Sequence, residues 1–476
     1  MFYGREEELG ELASLWRKNT ASMVTCQGRR RIGKSTMIEE FAKRSKAHFI
    51  EIMGTAPGKG VGNRQQLENF HIQLAPHIKV QKSKVPVDWL NAFMLLDSAI
   101  GNEKTVVLLD EISWMGQYDA TFPGHLKTAW DIYLKKHPKL ILVLCGSVST
   151  WIQENILNNT GFVGRSSLNL TLRELPLSVC MNFWGAAAER IATGEIIDVL
   201  SITGGVPRYL EEIDPALSAN ENIRRMCFRP KALLRDDFAK IFNSVFGENA
   251  VYKRNILAAL SVGPLTLAEL AEKLHLSKGG SISQNISELL TAGFISGDAG
   301  LNPLTGKPAK SIIYRLSDNY TRFYLKYIQP NEAVIDRDGF RFLNIEALPA
   351  WETILGLQFE NLVMNNIMEL LPRLGLQNVL IKSAAPWRQL AGARKKGCQI
   401  DMLIQAERMV YVIEMKRRKY IGSEVADEVA AKIEALSLPR SISVRTALVY
   451  AGELHPAIAA EGFFDALVSI GDLLHG

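Results

Sequence analysis

Gly28, Gly33, Lys34 and Ser35 stand at the spacing GxxxxGKS, between an apolar run at 22–27 and a helical pattern that puts Met37, Ile38 and Phe41 on one face. These residue types suit a polyphosphate. The glycines let backbone N–H groups wrap the phosphates, Lys34 reaches the β- and γ-phosphates, and the Ser35 hydroxyl ligates magnesium, with Thr36 in the same nucleotide-contacting turn. A second apolar strand, within 104–115, ends in Asp110 and Glu111. Ligands gather at the carboxyl ends of parallel strands, so Asp110 is expected in the magnesium shell and Glu111 as the base that orients water for attack on the γ-phosphate. Ser147, at the tip of the apolar run 139–147, is placed either to sense the γ-phosphate or to form a turn.

A different chemistry is written near the C-terminus. In VYVIEMKRRK, residues 410–419, strand alternation puts Glu414 and Lys416 on one face with Val412, while Ile413 and Met415 point the other way. Upstream, GCQIDMLIQ at 397–405 alternates in the same way. A tight two-residue turn at Glu407 and Arg408 would place Asp401 directly across from Glu414. Directly opposed residues have Cβ atoms about 5 Å apart, and two carboxylates at that range call for a divalent cation, magnesium or manganese rather than zinc. Lys416 can then neutralise a phosphate or position the attacking water. Further upstream, Glu360 interrupts the apolar positions of a helical pattern over about 351–371.

These residues need several elements to position them. A chain of 476 residues exceeds one hydrophobic core and suggests about three domains or more. The 55 Lys and Arg against 50 Asp and Glu give a net charge of +5, which is compatible with nucleic acid without requiring it. The five cysteines lie far apart with no CxxC or Cys/His ligand spacing, so neither a disulfide framework nor a zinc site is indicated and a reducing cytoplasm fits. The longest apolar runs are too short to span a bilayer, and the expectation is a cytoplasmic protein with no membrane segment. Strands are also read at 48–54 and 139–147. Over 251–317 three short helical patterns, at 251–261, 267–274 and 281–292, precede two apolar segments around a polar loop, 302–310.

In FYGREEEL at 2–9, GRRRIGKS, the LLDE box, the CGS strand end, GR at 164–165 and TGGVPRYLEE at 203–212, the chain resembles the archaeal-type ATPase family of the STAND branch of AAA+-related NTPases. The resemblance implies ATP as ligand, Gly4 and Arg5 near the adenine, and a lid motif at Gly205 and Pro207 that closes on the base. Arg165 and Arg208 are then cationic contacts to the γ-phosphate, one of them supplied by a neighbouring subunit of a homo-oligomer, or else surface arginines in loops. Residues 251–317 resemble a winged helix-turn-helix. Leu289, Leu290 and Phe294 would face its core, leaving Ser281, Ser283, Gln284 and Asn285, with Lys307 and Lys310 in the wing, to approach DNA; the same module can dock protein instead.

Glu360, Asp401 and Glu414-x-Lys416 together resemble the PD-(D/E)XK nuclease superfamily, in the version fused to such ATPases. The resemblance implies that Glu360, Asp401 and Glu414 bind one or two magnesium ions, manganese being an alternative, while Lys416 assists the attack. The runs Arg394–Lys395–Lys396 and 416–419 either track a phosphate backbone or form a solvated rim. The expected fold class is multidomain α/β: an ASCE/AAA+-like P-loop domain over 1–165, a helical lid over 166–244, a winged helix-turn-helix and connector over 245–330, a linker over 331–349, and a PD-(D/E)XK nuclease-like α/β domain over 350–476. The expected function is ATP-gated DNA cleavage. Its alternative is a nucleotide-dependent switch in transcription or signalling, with the C-terminal fold as a silent interaction module.

Overall fold

The computed structural model describes residues 2–78, 84–147, 150–247, 250–276, 280–309, 312–389, 391 and 396–475. Lys310, Arg394, Lys395 and the turn at 277–279 lie outside the described residues, as does the side chain of Ser281. The chain forms two compact units, Met1–Arg173 and Glu174–Gly476.

The first unit is built on a five-stranded parallel sheet of β1 (Ser22–Gly28), β2 (His48–Met53), β3 (Thr105–Asp110), β4 (Leu140–Ser147) and β5 (Ser166–Leu172), in the order β2-β3-β4-β1-β5. Every residue of β1, β3 and β4 is buried, as a parallel sheet covered on both faces requires. Alternate residues serve two separate cores. Met23, Val107, Leu109, Leu142 and Leu144 pack on one side, and Val24, Cys26, Val106, Leu108 and Val143 on the other. Strand β5 was not anticipated, because SSLNLTL buries Leu170 and Leu172 but keeps Ser167, Asn169 and Thr171 exposed at the sheet edge.

The second unit opens with helices that include Thr193–Thr203, Pro207–Leu210 and Leu233–Phe246. Three more, Val251–Leu260, Leu267–Lys273 and Gly280–Thr291, follow the periodicities read from the sequence. They stand with a small antiparallel sheet in which β8 (Ile313–Leu316) lies between β6 (Leu265–Thr266) and β7 (Ile295–Asp298). Leu289 and Phe294 are buried in its core. Residues 331–349, expected to be a linker, instead hold a short helix, Glu332–Asp336, and contribute Ile335, Phe340, Ile345 and Leu348 to the core. Pro330, Gly339 and Pro349 interrupt regular structure there without preventing burial.

The C-terminal part is a mixed five-stranded sheet in the order β13-β12-β11-β10-β9, formed by β9 (Ser383–Gln389), β10 (Cys398–Gln405), β11 (Met409–Ile421), β12 (Ser443–Leu454) and β13 (Ala466–Ser469). Strands β9, β10 and β11 run antiparallel, while β12 and β13 are parallel to β11. The two faces carry different helices. Ile413, Met415, Met402 and Ile404 share a core with Ile354, Phe359 and Leu362 of the helix Trp351–Asn365. Val410, Val412, Leu403 and Leu448 pack instead with Val425, Val429 and Leu436 of the helix Glu424–Leu436.

Candidate functional site

The loop after β1 is shaped for a bound anion. Gly28 lies so close to β5 that a Cβ would meet the Leu172 carbonyl oxygen at 2.8 Å. Gly33 is left-handed at φ 84° and starts the helix Lys34–Arg44, whose free N–H groups and dipole favour a phosphate. Arg31 adopts φ 69°, a conformation costly for a residue with a side chain and common at such sites. Lys34 is buried and its Nζ donates to the carbonyls of Gly28 and Arg29 at 3.1 and 3.2 Å. The ammonium is held at the mouth of the loop it would share with a phosphate.

Ser35 Oγ donates to Asp110 Oδ2 at 2.5 Å, so the hydroxyl of one motif meets the carboxylate of the other. Both are hard oxygen donors on one spot, a donor set that fits magnesium. Asp110 Oδ1 also accepts from the Glu111 N–H at 2.9 Å, with Glu111 in the left-handed region at φ 48°. Ser147 Oγ donates to Glu111 Oε1 at 3.3 Å. Arg30, not singled out from the sequence, stands 3.7 Å from the same oxygen and stacks over Trp114 at 4.9 Å. Ser35, Asp110, Glu111 and Ser147 are therefore gathered at the carboxyl ends of β3 and β4. Thr36 lies one residue into the helix.

Other predicted nucleotide contacts lie elsewhere. Gly4 has φ 72°, and Arg5 donates to the carbonyls of Ile32 in the loop and Arg173 after β5, at 3.3 and 2.6 Å. Arg5 thus braces the phosphate loop from behind. Arg165 is held by Asp131, with contacts of 3.0 and 2.8 Å that also draw in Lys127. In the second unit Arg208 pairs with Glu211 and Glu212, and Pro207 begins a one-turn helix. Gly205 meets the chain at Leu175 so closely that a Cβ would fall 2.2 Å from the Leu175 oxygen.

On the helix Gly280–Thr291, Ser283 and Gln284 are exposed and Asn285 is half-buried. Glu288, unfavourable to a polyanion on that face, is neutralised by Lys253 at 2.8 Å. Lys307 is exposed at the tip of the loop between β7 and β8.

The acidic residues of the C-terminal sheet do converge. The β10–β11 register follows the two-residue turn at Glu407 and Arg408, with Ala406 N donating to Met409 O at 2.9 Å. The last step of the ladder toward the site is Met402 opposite Ile413. Beyond it Asp401 and Glu414 come next on the two strands, and the Met415 N–H donates at 2.8 Å to Asp401 Oδ2, a side chain, rather than to a strand carbonyl. A β-bulge in β10 between Ile400 and Leu403 aims Asp401: these two residues, three apart, share one core. Glu414 is buried, and Lys416 Nζ contacts its Oε1 at 2.9 Å. Lys432, from the helix Glu424–Leu436, pairs with its Oε2. Glu360 reaches the same place from the helix on the opposite face, and one cleft of about 610 Å³ is lined by Glu360, Asp401, Glu414 and Lys416.

Crowding is visible in the acidities. Burial, then the field of Asp401, pushes the Glu360 carboxyl up to about 7, while burial, then the field of Glu414, pushes Asp401 up to about 6. Burial works against the Lys416 ammonium, but Glu414 and Glu428 outweigh it and its pKa is raised. The helix bearing Glu360 is fixed from behind. Asn361 accepts from Arg315 of β8 at 2.6 Å and Gln358 from the buried Arg322 at 2.7 Å. Among the described residues no three acidic, His or Cys side chains stand close enough to hold a metal ion with the side chains placed this way. The donor set nevertheless fits a hard divalent ion, since three carboxylates share the cleft and Lys432 sits where an ion would neutralise Glu414.

Lys432 was missed from the sequence because it lies on the next helix, and its role depends on which helical face packs on β11. No helix of the described residues is long and apolar enough to cross a membrane.

Residues 2–213 match a family model described as an ATPase domain predominantly from Archaea. An uncharacterized protein of Methanocaldococcus jannaschii is 24% identical over 372 residues, 78% of either chain. An uncharacterized ATP-binding protein of the same organism is 41% identical over 46 residues, 10% of this chain and 78% of that one. The solved Walker-type ATPase of Pyrococcus abyssi has a TM-score of 0.51 at 13% identity, covering 68% of this chain and 96% of that one, a likeness of fold. The GxxxxGKS loop, the Ser35–Asp110 contact and the parallel sheet all lie within residues 2–213 and agree with the ATPase domain that this family model describes.

Proposed function

We propose that this P-loop ATPase binds and hydrolyses ATP to control a divalent-metal-dependent deoxyribonuclease carried in its own C-terminal sheet. The observation that carries the second half is the meeting of Glu360, Asp401, Glu414 and Lys416 in one cleft from three separate elements. The reading of that region as a PD-(D/E)XK nuclease, and of residues 251–317 as a winged helix-turn-helix on DNA, rests on this cluster and on three helices beside a small antiparallel sheet.

In the ATPase half, Lys34 neutralises the β- and γ-phosphates, and Ser35 and Asp110 would hold magnesium. Glu111 takes a proton from water as its oxygen bonds to the γ-phosphorus, the β–γ bridging bond breaks, and ADP and phosphate leave. Ser147 holds Glu111 in place through its hydrogen bond. In the C-terminal half, Glu360, Asp401 and Glu414 would hold the metal, which when bound acidifies water and offsets charge on the phosphate. Lys416 orients the attacking water, which gives up a proton to solvent as its oxygen bonds to phosphorus; the P–O ester bond breaks, and the leaving alkoxide takes up a proton from solvent. The exposed Arg418, Lys419 and Lys307 favour a phosphate backbone.

A second reading, a nucleotide-dependent switch with a silent nuclease-like module, is favoured by the two lysines on Glu414. The test is incubation of wild-type and Lys416→Ala protein with linear, circular and single-stranded DNA in magnesium or manganese, with and without ATP. Cleavage by the wild type alone, altered by ATP, supports the nuclease reading. ATP hydrolysis without any cleavage supports the switch.

A further inference from the structure

Asp401, Glu414 and Lys416 line two clefts, not one. The first, about 610 Å³, is bounded by the helix Trp351–Asn365 and by Arg417, Arg418 and Lys419. The second, about 500 Å³, is bounded by Ala431, Lys432 and Ala435 of the helix Glu424–Leu436 and by Lys396. Those helices pack in the cores on opposite faces of the sheet. The two clefts therefore meet at Asp401 and Glu414, just past the Met402–Ile413 step, where the Met415 N–H turns to a carboxylate.

Each cleft has its own cations. Arg418 and Lys419 are exposed beside the first, which Glu352 also lines, and Lys432 and Lys396 stand in the second, where Lys396 pairs with Glu434 at 3.1 Å. A site that captures a chain end needs a wall on one side of the reacting phosphorus. Here both sides continue into an open cleft that carries cations of its own, so phosphates upstream and downstream of the reacting one are accommodated. The route passes from one face of a sheet to the other over about one sheet thickness, on the order of 10 Å. Duplex DNA, with a persistence length of about 50 nm, does not bend over that distance without large cost, whereas a single strand does.

We infer that the C-terminal site takes an internal phosphodiester of single-stranded DNA, laid across Asp401 and Glu414 with flanking phosphates in the two clefts. This inference rests on the nuclease reading above and specifies its substrate. Lys432 has a further part in it: it leaves Glu414 when the metal binds and turns to a flanking phosphate in the second cleft.

The experiment compares a circular single-stranded DNA, the same sequence as a closed duplex circle, and a linear single strand with free or blocked ends, all with the full chain in manganese. The expected result is opening of the single-stranded circle at least tenfold faster than the duplex, and equal cutting of free and blocked linear strands. Degradation only from free ends, or preference for the duplex, overturns this inference while leaving the nuclease reading intact. No cutting of any substrate overturns both. Binding gives an independent readout: in the cleavage-deficient Lys416→Ala background with manganese, Arg418→Ala and Lys432→Ala should each weaken binding of the single-stranded circle and lower the salt dependence by about one phosphate contact. A loss from only one cleft contradicts the two-sided path.

Discussion

Replacing Arg417 with methionine removes a guanidinium that joins three distant parts of the second unit. Its Nη2 contacts Asp198 of the helix Thr193–Thr203 at 2.6 Å, and its Nη1 contacts Glu352 of the helix Trp351–Asn365 at 2.7 Å. The two arms are unequal. The Glu352 side chain is 62% exposed, and an exposed pair contributes at most about 1 kcal/mol. The Asp198 side chain is only 23% exposed; orphaning a buried charge costs about 3–5 kcal/mol, and partial exposure brings this nearer the lower end. The expected destabilisation of Arg417→Met at pH 8 is therefore about 3 kcal/mol.

The sign with pH follows from Asp198. Burial raises its pKa, with Arg417 working against the rise. A carboxyl raised in the folded state loses stability as pH climbs through its folded pKa, and removing Arg417 moves that window upward. The gap between wild type and variant should thus be larger at pH 8 than at pH 5, because lowering the pH lets the variant's Asp198 take up a proton and relieves the orphaned charge. Urea unfolding followed by tryptophan fluorescence at both pH values measures it. Adding Asp198→Asn to the variant should recover about half the loss at pH 8, because no charge is left to orphan. A gap below about 1 kcal/mol, or one that does not change with pH, refutes the reasoning.

Two further outcomes are expected. Glu111→Gln keeps ATP binding but lowers phosphate release by about 10²–10⁴-fold, the usual contribution of a general base, whereas unchanged turnover would remove Glu111 from the reaction. Asp401→Asn should stabilise the metal-free chain by about 1–2 kcal/mol at pH 8, since like charges crowd this site, and should abolish stabilisation by manganese. Denaturation with and without manganese tests both halves, and a variant that is less stable yet still stabilised by the metal would contradict the assignment.

Much of both sites was legible because local rules govern them. The phosphate loop announces itself by glycine spacing between an apolar strand and a helix, and the β10–β11 register follows from a two-residue turn that leaves little freedom in pairing. What local rules do not reach is set by packing. Lys432 approaches Glu414 from a helix whose orientation depends on the core around Val425 and Val429. The bulge that turns Asp401 leaves no turn residue to mark it. Residues 331–349 look open because of Pro and Gly, yet four apolar side chains draw the segment inward. Arg417 reads as part of a basic run, and only the fold reveals that its partners lie at 198 and 352.

The parting of β10 and β11 at Asp401 also bears on how this chain avoids sticking to others. A sheet whose strands separate internally offers free amide edges to any extended peptide, a template for aggregation of the kind that sheet borders ordinarily guard against. Here the carboxylate of Asp401 accepts the Met415 N–H and closes that edge. One side chain thus serves the chemistry of the cleft and keeps foreign strands out of it, and the requirement for a short side-chain acceptor at position 401, Asp or Asn, would persist in a descendant that had lost every trace of catalysis.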